Sequence, residues 1–144
     1  MTPQRITLVT LGVADMARSR AFYAALGWQM HPDSTASMTV YQANGFALGL
    51  FGLEGLAKDQ GRPGADLGTG ASTLAQNFET DAEVDAAYAR ALGAGATPLK
   101  APEKVFWGGY SGYFADPDGH VWELAMNPFW PLNEDGSLSL PDTE

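Results

Sequence analysis

Between residues 6 and 13 the side chains alternate, with Val9, Leu11 and Val13 on one face of an extended strand and Leu8, Thr10 and Gly12 on the other. Asp15 then stands where a helix cap belongs. Met16, Ser19, Phe22, Tyr23 and Leu26 recur at helical spacing, which predicts a helix over 16–26 that ends at Gly27 and covers the first face of the strand. The same order returns about 65 residues later. Residues 73–78 read as a strand, Thr80 and Glu83 form an S/T-x-x-E capping box, and Val84, Tyr88, Ala91 and Leu92 make the stripe of a helix over 81–92 that ends at Gly93. Each half closes on a hairpin signal, Asn44-Gly45 in the first and Asp118-Gly119 in the second, and such dipeptides predict type I′ turns. Further strands are expected over 28–31, 38–43, 46–51, 97–100, 110–115 and 121–126. The pattern is that of one β-α-β-β-β module written twice, an α+β fold.

The 144 residues suffice for one domain made of two halves, with modules over 5–52 and 71–127, a connecting surface loop over 53–70 and a tail over 128–144. The connection is rich in glycine and is broken by Arg62-Pro63-Gly64. Apolar residues make up 45% and no run approaches the roughly 20 residues that span a bilayer, so a soluble globular chain without membrane contact is expected. No basic, apolar leader opens the sequence, which makes a cytoplasmic location the expectation. With no cysteine there is no thiolate ligand, nucleophile or disulfide. Seventeen acidic against 8 basic side chains give a net charge of −9, which disfavours nucleic acid as a partner.

The stretch from Leu11 to Tyr23, carrying V-x-D-x-x-x-S-x-x-F-Y, and the stretch from Tyr113 to Leu124, carrying D-P-D-G-x-x-W-E, resemble the vicinal oxygen chelate superfamily of glyoxalase I, the bleomycin-resistance proteins and the extradiol dioxygenases. The resemblance covers about residues 6–128. It implies two modules curled around one open cavity, with a divalent metal held by His, Glu or Gln at four pseudo-equivalent places on the first and last strands of the modules. In this sequence the first place is Leu8. Its counterpart is Thr73 if the helix caps are aligned and Leu74 if Leu26 is aligned with Leu92. Thr73 is preferred, since it leaves Leu74, Gln76 and Phe78 to the helix and turns Thr73, Ala75 and Asn77 to the cavity. Matching the hairpins pairs Gly49 with Glu123, so Glu123 is the one expected ligand present and no metal site is supported.

His31 and His120 are read as structural or surface residues. Glu123 is either a general acid or base in a metal-free cavity or a remnant bonded to nearby Thr, Asn or Tyr groups. Trp107, Tyr110 and Tyr113, spaced by glycines, suit a wall for a flat or cationic ligand, and Leu8, Thr10, Gly49, Phe51, Thr73 and Asn77 complete the expected ligand-binding set. The reading favours a small-molecule binding protein without resident cofactor. The alternatives are a metal-dependent lyase, isomerase or dioxygenase of the glyoxalase type and a cofactor-free enzyme that uses Glu123. Phe129 and Trp130, between Pro128 and Pro131, are expected to pack on the body or on a partner subunit, and a two-fold homodimer is predicted. Light scattering at micromolar concentration checks this, with a dimer mass expected and a monomer mass contradicting it.

Overall fold

A computed structural model describes residues 1–142, so positions 143 and 144 of the expected tail lie outside the described residues. The chain is an α+β protein that divides into two compact units, Met1–Gly68 and a second from Thr69 onward. The first unit contains β1 (Leu8–Val13), α1 (Met16–Leu26), β2 (Met38–Gln42), β3 (Ala47–Gly52) and α2 (Leu53–Asp59). The second contains β4 (Thr73–Phe78), α3 (Asp81–Gly93), β5 (Thr97–Lys104), β6 (Tyr110–Ala115) and β7 (Val121–Met126). The sheet orders are β1-β3-β2 and β4-β7-β6-β5. In each unit the first strand pairs in parallel with the last, and all other pairings are antiparallel. No helix among the described residues is long and apolar enough to cross a membrane.

In the first unit the Asp15 carboxylate accepts the Arg18 N–H at 3.1 Å and starts α1. The helix ends in a Schellman motif, with Gly27 at φ 104° and the Trp28 N–H bonded to the Tyr23 carbonyl at 2.9 Å. Phe22 and Tyr23 of α1 are buried with Val13, Tyr41, Leu48 and Leu50 of the sheet, each such side chain stabilising the fold by about 1.5–3 kcal/mol. Arg20 fastens the helix to the sheet. Its Nε donates to Thr39 Oγ1 at 2.6 Å and its guanidinium to the Thr35 carbonyl.

The expected strand over 28–31 does not form. Trp28 turns inward edge-on to Tyr41, a single bond joins the His31 N–H to the Val40 carbonyl, and Pro32 has no N–H with which to continue the ladder. This module is therefore β-α-β-β. The expected loop over 53–70 begins as the helix α2, for which Leu53, Leu56 and Ala57 supply an apolar stripe. Gly12 makes this packing feasible, because a Cβ there would lie 2.7 Å from Leu53 Cδ2 and 3.2 Å from Leu56 Cδ2. Glu54 in its first turn and Lys58 in its last suit the helix dipole.

In the second unit Thr80 Oγ1 accepts the Glu83 N–H at 3.1 Å, which fulfils the capping signal. Gly93 belongs to the helix and is not the residue that breaks it. It is the last helical residue, Ala94 is the C-cap and Gly95 at φ 101° takes the left-handed position, with the Ala96 N–H bonded to the Ala91 carbonyl at 3.0 Å. Neither hairpin is a type I′ turn, since Asn44 and Asp118 keep negative φ and only Gly45 (84°) and Gly119 (92°) are left-handed. Around Pro117 a longer loop wins. The Gly119 N–H meets the Asp116 carbonyl at 3.0 Å, and the buried Asp116 carboxylate accepts the N–H groups of Asp118 and His120, each at 2.9 Å.

The β5–β6 register shifts between Lys100 and Glu103, and this irregular backbone closes over Gly112. A Cβ at Gly112 would lie 2.8 Å from Pro102 N and 2.9 Å from the Lys100 oxygen. Because backbone must move to accommodate it, Gly112→Ala is expected to cost about 1–3 kcal/mol. Urea unfolding should show a lower midpoint at unchanged slope. An unaltered midpoint would mean that β5 yields freely at this point.

Candidate functional site

Alternation along β7 sorts its side chains by face: Trp122 and Leu124 are buried, and Glu123 points to the opposite side, half-buried. Registered neighbours share a face, so the row through Glu123 contains Ala75 of β4, Tyr113 of β6 and, across from Tyr113, Lys100 of β5. Tyr113 stands directly across the ladder from Glu123. Burial pushes the Tyr113 phenol above its usual range, and the Glu123 carboxylate pushes it further. On one side of this row lie Thr73, exposed, and Val121; on the other are Asn77 with Ala125 and the buried Ser111 opposite Glu103. Lys100 Nζ meets Glu103 Oε1 at 3.0 Å at the outer strand, an exposed pair that contributes at most about 1 kcal/mol.

The first unit has the same frame with different contents. Leu8 pairs with Ala47 and Thr10 with Gly49, as Thr73 pairs with Val121 and Ala75 with Glu123. Thr73, not Leu74, is thus the counterpart of Leu8, and Gly49 is the counterpart of Glu123. A Cβ at Gly49 would stand 2.9 Å from Met38 Cε and 3.5 Å from both Leu8 Cδ1 and Thr10 Oγ1, so those side chains occupy the space a carboxylate would need. Met38 was not among the sequence-derived candidates, although the alternation of β2 places it on this side. Leu8 is exposed, Thr10 is half-buried, and Phe51 lies close to Gly55 of α2.

The aromatic wall expected from Trp107, Tyr110 and Tyr113 is not assembled. Tyr110 and Tyr113 are an odd number of positions apart on one strand and face opposite ways. The Tyr110 hydroxyl donates to Asp85 Oδ1 of α3 at 2.7 Å, which raises its pKa, and Lys104 Nζ stands 5.7 Å from its ring centroid. Trp107 sits in the β5–β6 loop with its ring folded over Gly109. Only Tyr113 of the three joins Glu123. Of the two histidines, His31 accepts the Asp33 N–H on Nδ1, and His120 closes the β6–β7 loop through its backbone.

The model of the Glyoxalase/Bleomycin resistance protein/Dioxygenase superfamily matches residues 5–124. The chain belongs to this superfamily. A glyoxalase-related enzyme from Fulvimarina pelagi is 35% identical, with a TM-score of 0.90 over 97% of this chain and 100% of that one. A lactoylglutathione lyase from Agrobacterium tumefaciens is similar in fold alone, at 22% identity and a TM-score of 0.68 over 92% of this chain and 100% of that one. An uncharacterized protein of Mycobacterium bovis is 46% identical over 56 residues, which are 39% of this chain and 36% of that protein. This chain thus matches about a third of the length of that curated relative.

Leu8, Gly49, Thr73 and Glu123 stand at the four places where the superfamily resemblance puts metal ligands. One carboxylate with an aliphatic side chain, a glycine and a hydroxyl does not match the nitrogen- and oxygen-rich sets that hold zinc, iron, manganese or nickel. Among the described residues no three His, Cys, Asp or Glu side chains are grouped so as to hold a metal ion. The residues of this superfamily member do not fit such a metal.

The phenols of Tyr41, Tyr110 and Tyr113 have raised pKa values: Tyr41 through burial, where its hydroxyl has no partner among the described residues, Tyr110 through its bond to Asp85, and Tyr113 through burial and Glu123. A phenol whose folded pKa exceeds its unfolded value of about 10 contributes stability that is fully present below that pH and lost as pH rises through the folded pKa. Alkaline ultraviolet titration should therefore show these phenols ionising later in the folded protein than in the denatured chain. Tyr113→Phe should remove one late-ionising phenol and soften the alkaline loss of stability. A variant whose titration lacks only an ordinary tyrosine would contradict the Tyr113–Glu123 contact.

Proposed function

We propose that this superfamily chain is a small-molecule binding protein that works without a resident divalent metal and takes its ligand on the Glu123–Tyr113 face of the second unit. The observation that carries this reading is the pairing of Tyr113 with Glu123 on the side of the sheet opposite Trp122 and Leu124. A half-buried carboxylate beside a phenol can accept a hydrogen bond from a ligand donor. Thr73 and Asn77 flank it on β4, and Lys100 and Glu103 rim it on β5. The Thr73 hydroxyl and the Asn77 amide, on the same strand, can add hydrogen bonds of their own to a ligand held there.

The same contact favours a second reading, a cofactor-free enzyme. A carboxylate beside a protonated phenol can take a proton from a bound molecule while the phenol steadies the charge left behind. The two readings separate on Glu123→Gln. A ligand donor to an ionised acceptor contributes about 1.5–3 kcal/mol, so the binding reading expects this variant to lose about ten- to a hundredfold in affinity. The enzyme reading expects turnover to vanish while affinity changes only a few-fold.

Small-molecule screening by native mass spectrometry, followed by calorimetry of any retained compound with both proteins, supplies the measurement. Metal analysis of the purified chain is the companion test. A stoichiometric transition metal whose removal by a chelator abolishes ligand binding would overturn the metal-free reading.

A further inference from the structure

At the far ends of β4 and β7, Phe78 pairs with Met126 on the side of the sheet that carries Trp122 and Leu124, away from Glu123. The chain leaving β7 folds back sharply. The Phe129 N–H bonds Asn127 Oδ1 at 2.9 Å and the Trp130 N–H bonds the Asn127 carbonyl at 3.2 Å, which directs Trp130 and Pro131 across the strand ends. The next segment is fixed by a small turn. Leu132 and Leu138 bridge, the Asn133 N–H reaches the Ser137 carbonyl at 2.8 Å, and Asn133 Nδ2 reaches Ser137 Oγ and Ser139 Oγ, each at 3.0 Å. Between the strand ends and this braced tail lies an open groove of about 300 Å³, within the range of small-ligand sites.

The groove has one chemical character. Phe78, Met126, Pro128, Trp130 and Pro131 make its walls apolar or aromatic, and Glu79 is the single ionised side chain among its lining residues. No lysine, arginine or histidine lines it. Trp130 remains 42% exposed, so much of its indole is open to a ligand. An anion would meet the Glu79 carboxylate unopposed. An ammonium group would instead be attracted both by that carboxylate and by the negative face of the indole, while attached hydrocarbon packs on the proline and phenylalanine surfaces. The net charge of −9 raises the local concentration of such cations.

We propose that this groove binds a small organic ammonium ion bearing an apolar or aromatic group, held between Glu79 and Trp130. It is a second site, on the opposite side of the sheet from Glu123, and its test is independent of the function proposed for that face.

The probe is benzyltrimethylammonium chloride, titrated at constant ionic strength against the isotopically labelled chain. The Trp130 indole N–H signal, identified by its loss in Trp130→Leu, is followed throughout. Saturable shifts of that signal are expected in the millimolar range or below. Glu79→Gln should weaken the probe about three- to fivefold, as expected for losing an exposed charge pair. Trp130→Leu, followed on the backbone signals of Glu79 and Met126, should weaken it by a similar factor through loss of the aromatic face.

Asp118→Asn removes one negative charge from the loop before β7, at the opposite end of that strand from the groove, and should leave the affinity unchanged. Phenylacetate should bind far more weakly than the cation. The proposal is overturned if the indole signal does not saturate, if phenylacetate binds as well as the ammonium ion, or if Asp118→Asn weakens binding as much as Glu79→Gln.

Discussion

Parallel pairing between the first and last strands of each unit is the constraint on which the rest of the structure depends. Parallel neighbours cannot be joined by a tight turn, so all of the chain between them must cross over and return. In the second unit that crossover is α3 followed by β5 and β6, and in the first it is α1 followed by β2. The crossover helix covers one face of the sheet and leaves the other free for function. The ladder also fixes register. Once Thr73 lies beside Val121, Ala75 must lie beside Glu123, and the antiparallel return brings Tyr113 to its other side.

Much of this was legible in the sequence because it depends on local signals. Helix caps at Asp15 and Thr80, strand alternation in β1 and β7, and the spacing between cap and strand require only neighbouring residues, and together they identify Thr73 as the counterpart of Leu8 and put Glu123 on the face away from Trp122 and Leu124. The errors arise where a distant or competing group decides. Asn44-Gly45 and Asp118-Gly119 look like two-residue turns, but Pro117 and the two amides held by Asp116 select a longer loop in the second. Gly93 looks like a helix stop, but Gly95 lies within reach and closes the better motif. The stripe of α2 was present in Leu53, Leu56 and Ala57 and was obscured by the glycines around it.

The site was legible in part for the same reason. Tyr113 and Glu123 were each recognisable, but their contact follows only from the hairpin register, which is set by the loop from Asp116 to His120. Counting outward from that closure pairs 113 with 123, and counting from a two-residue turn does not. Tyr110 was grouped with Tyr113 because glycine-spaced aromatics resemble a wall, whereas strand parity sends it to Asp85. The two halves have diverged at matching positions. Where the second keeps a carboxylate, the first has a glycine whose space is taken by Met38, Leu8 and Thr10. A duplicated frame has thus come to carry a carboxylate beside a phenol on one copy and side-chain packing over a glycine on the other.

The missing strand of the first unit leaves β2 at the rim of its sheet, where bare amides and carbonyls ordinarily invite another chain to add itself. The segment after α1 covers that rim without becoming a strand. The His31 N–H reaches the Val40 carbonyl at 2.8 Å, Ser34 Oγ accepts the Val40 N–H at 3.0 Å, and Thr35 engages Met38 through both its backbone N–H and its hydroxyl. Side-chain oxygens and an irregular backbone thus use up the hydrogen-bonding capacity that a fibril or a misassembled neighbour would exploit. Because Pro32 prevents the segment from straightening, it cannot in turn offer a fresh rim of its own. What the first module lost in symmetry with the second it gained as a guard against templated aggregation.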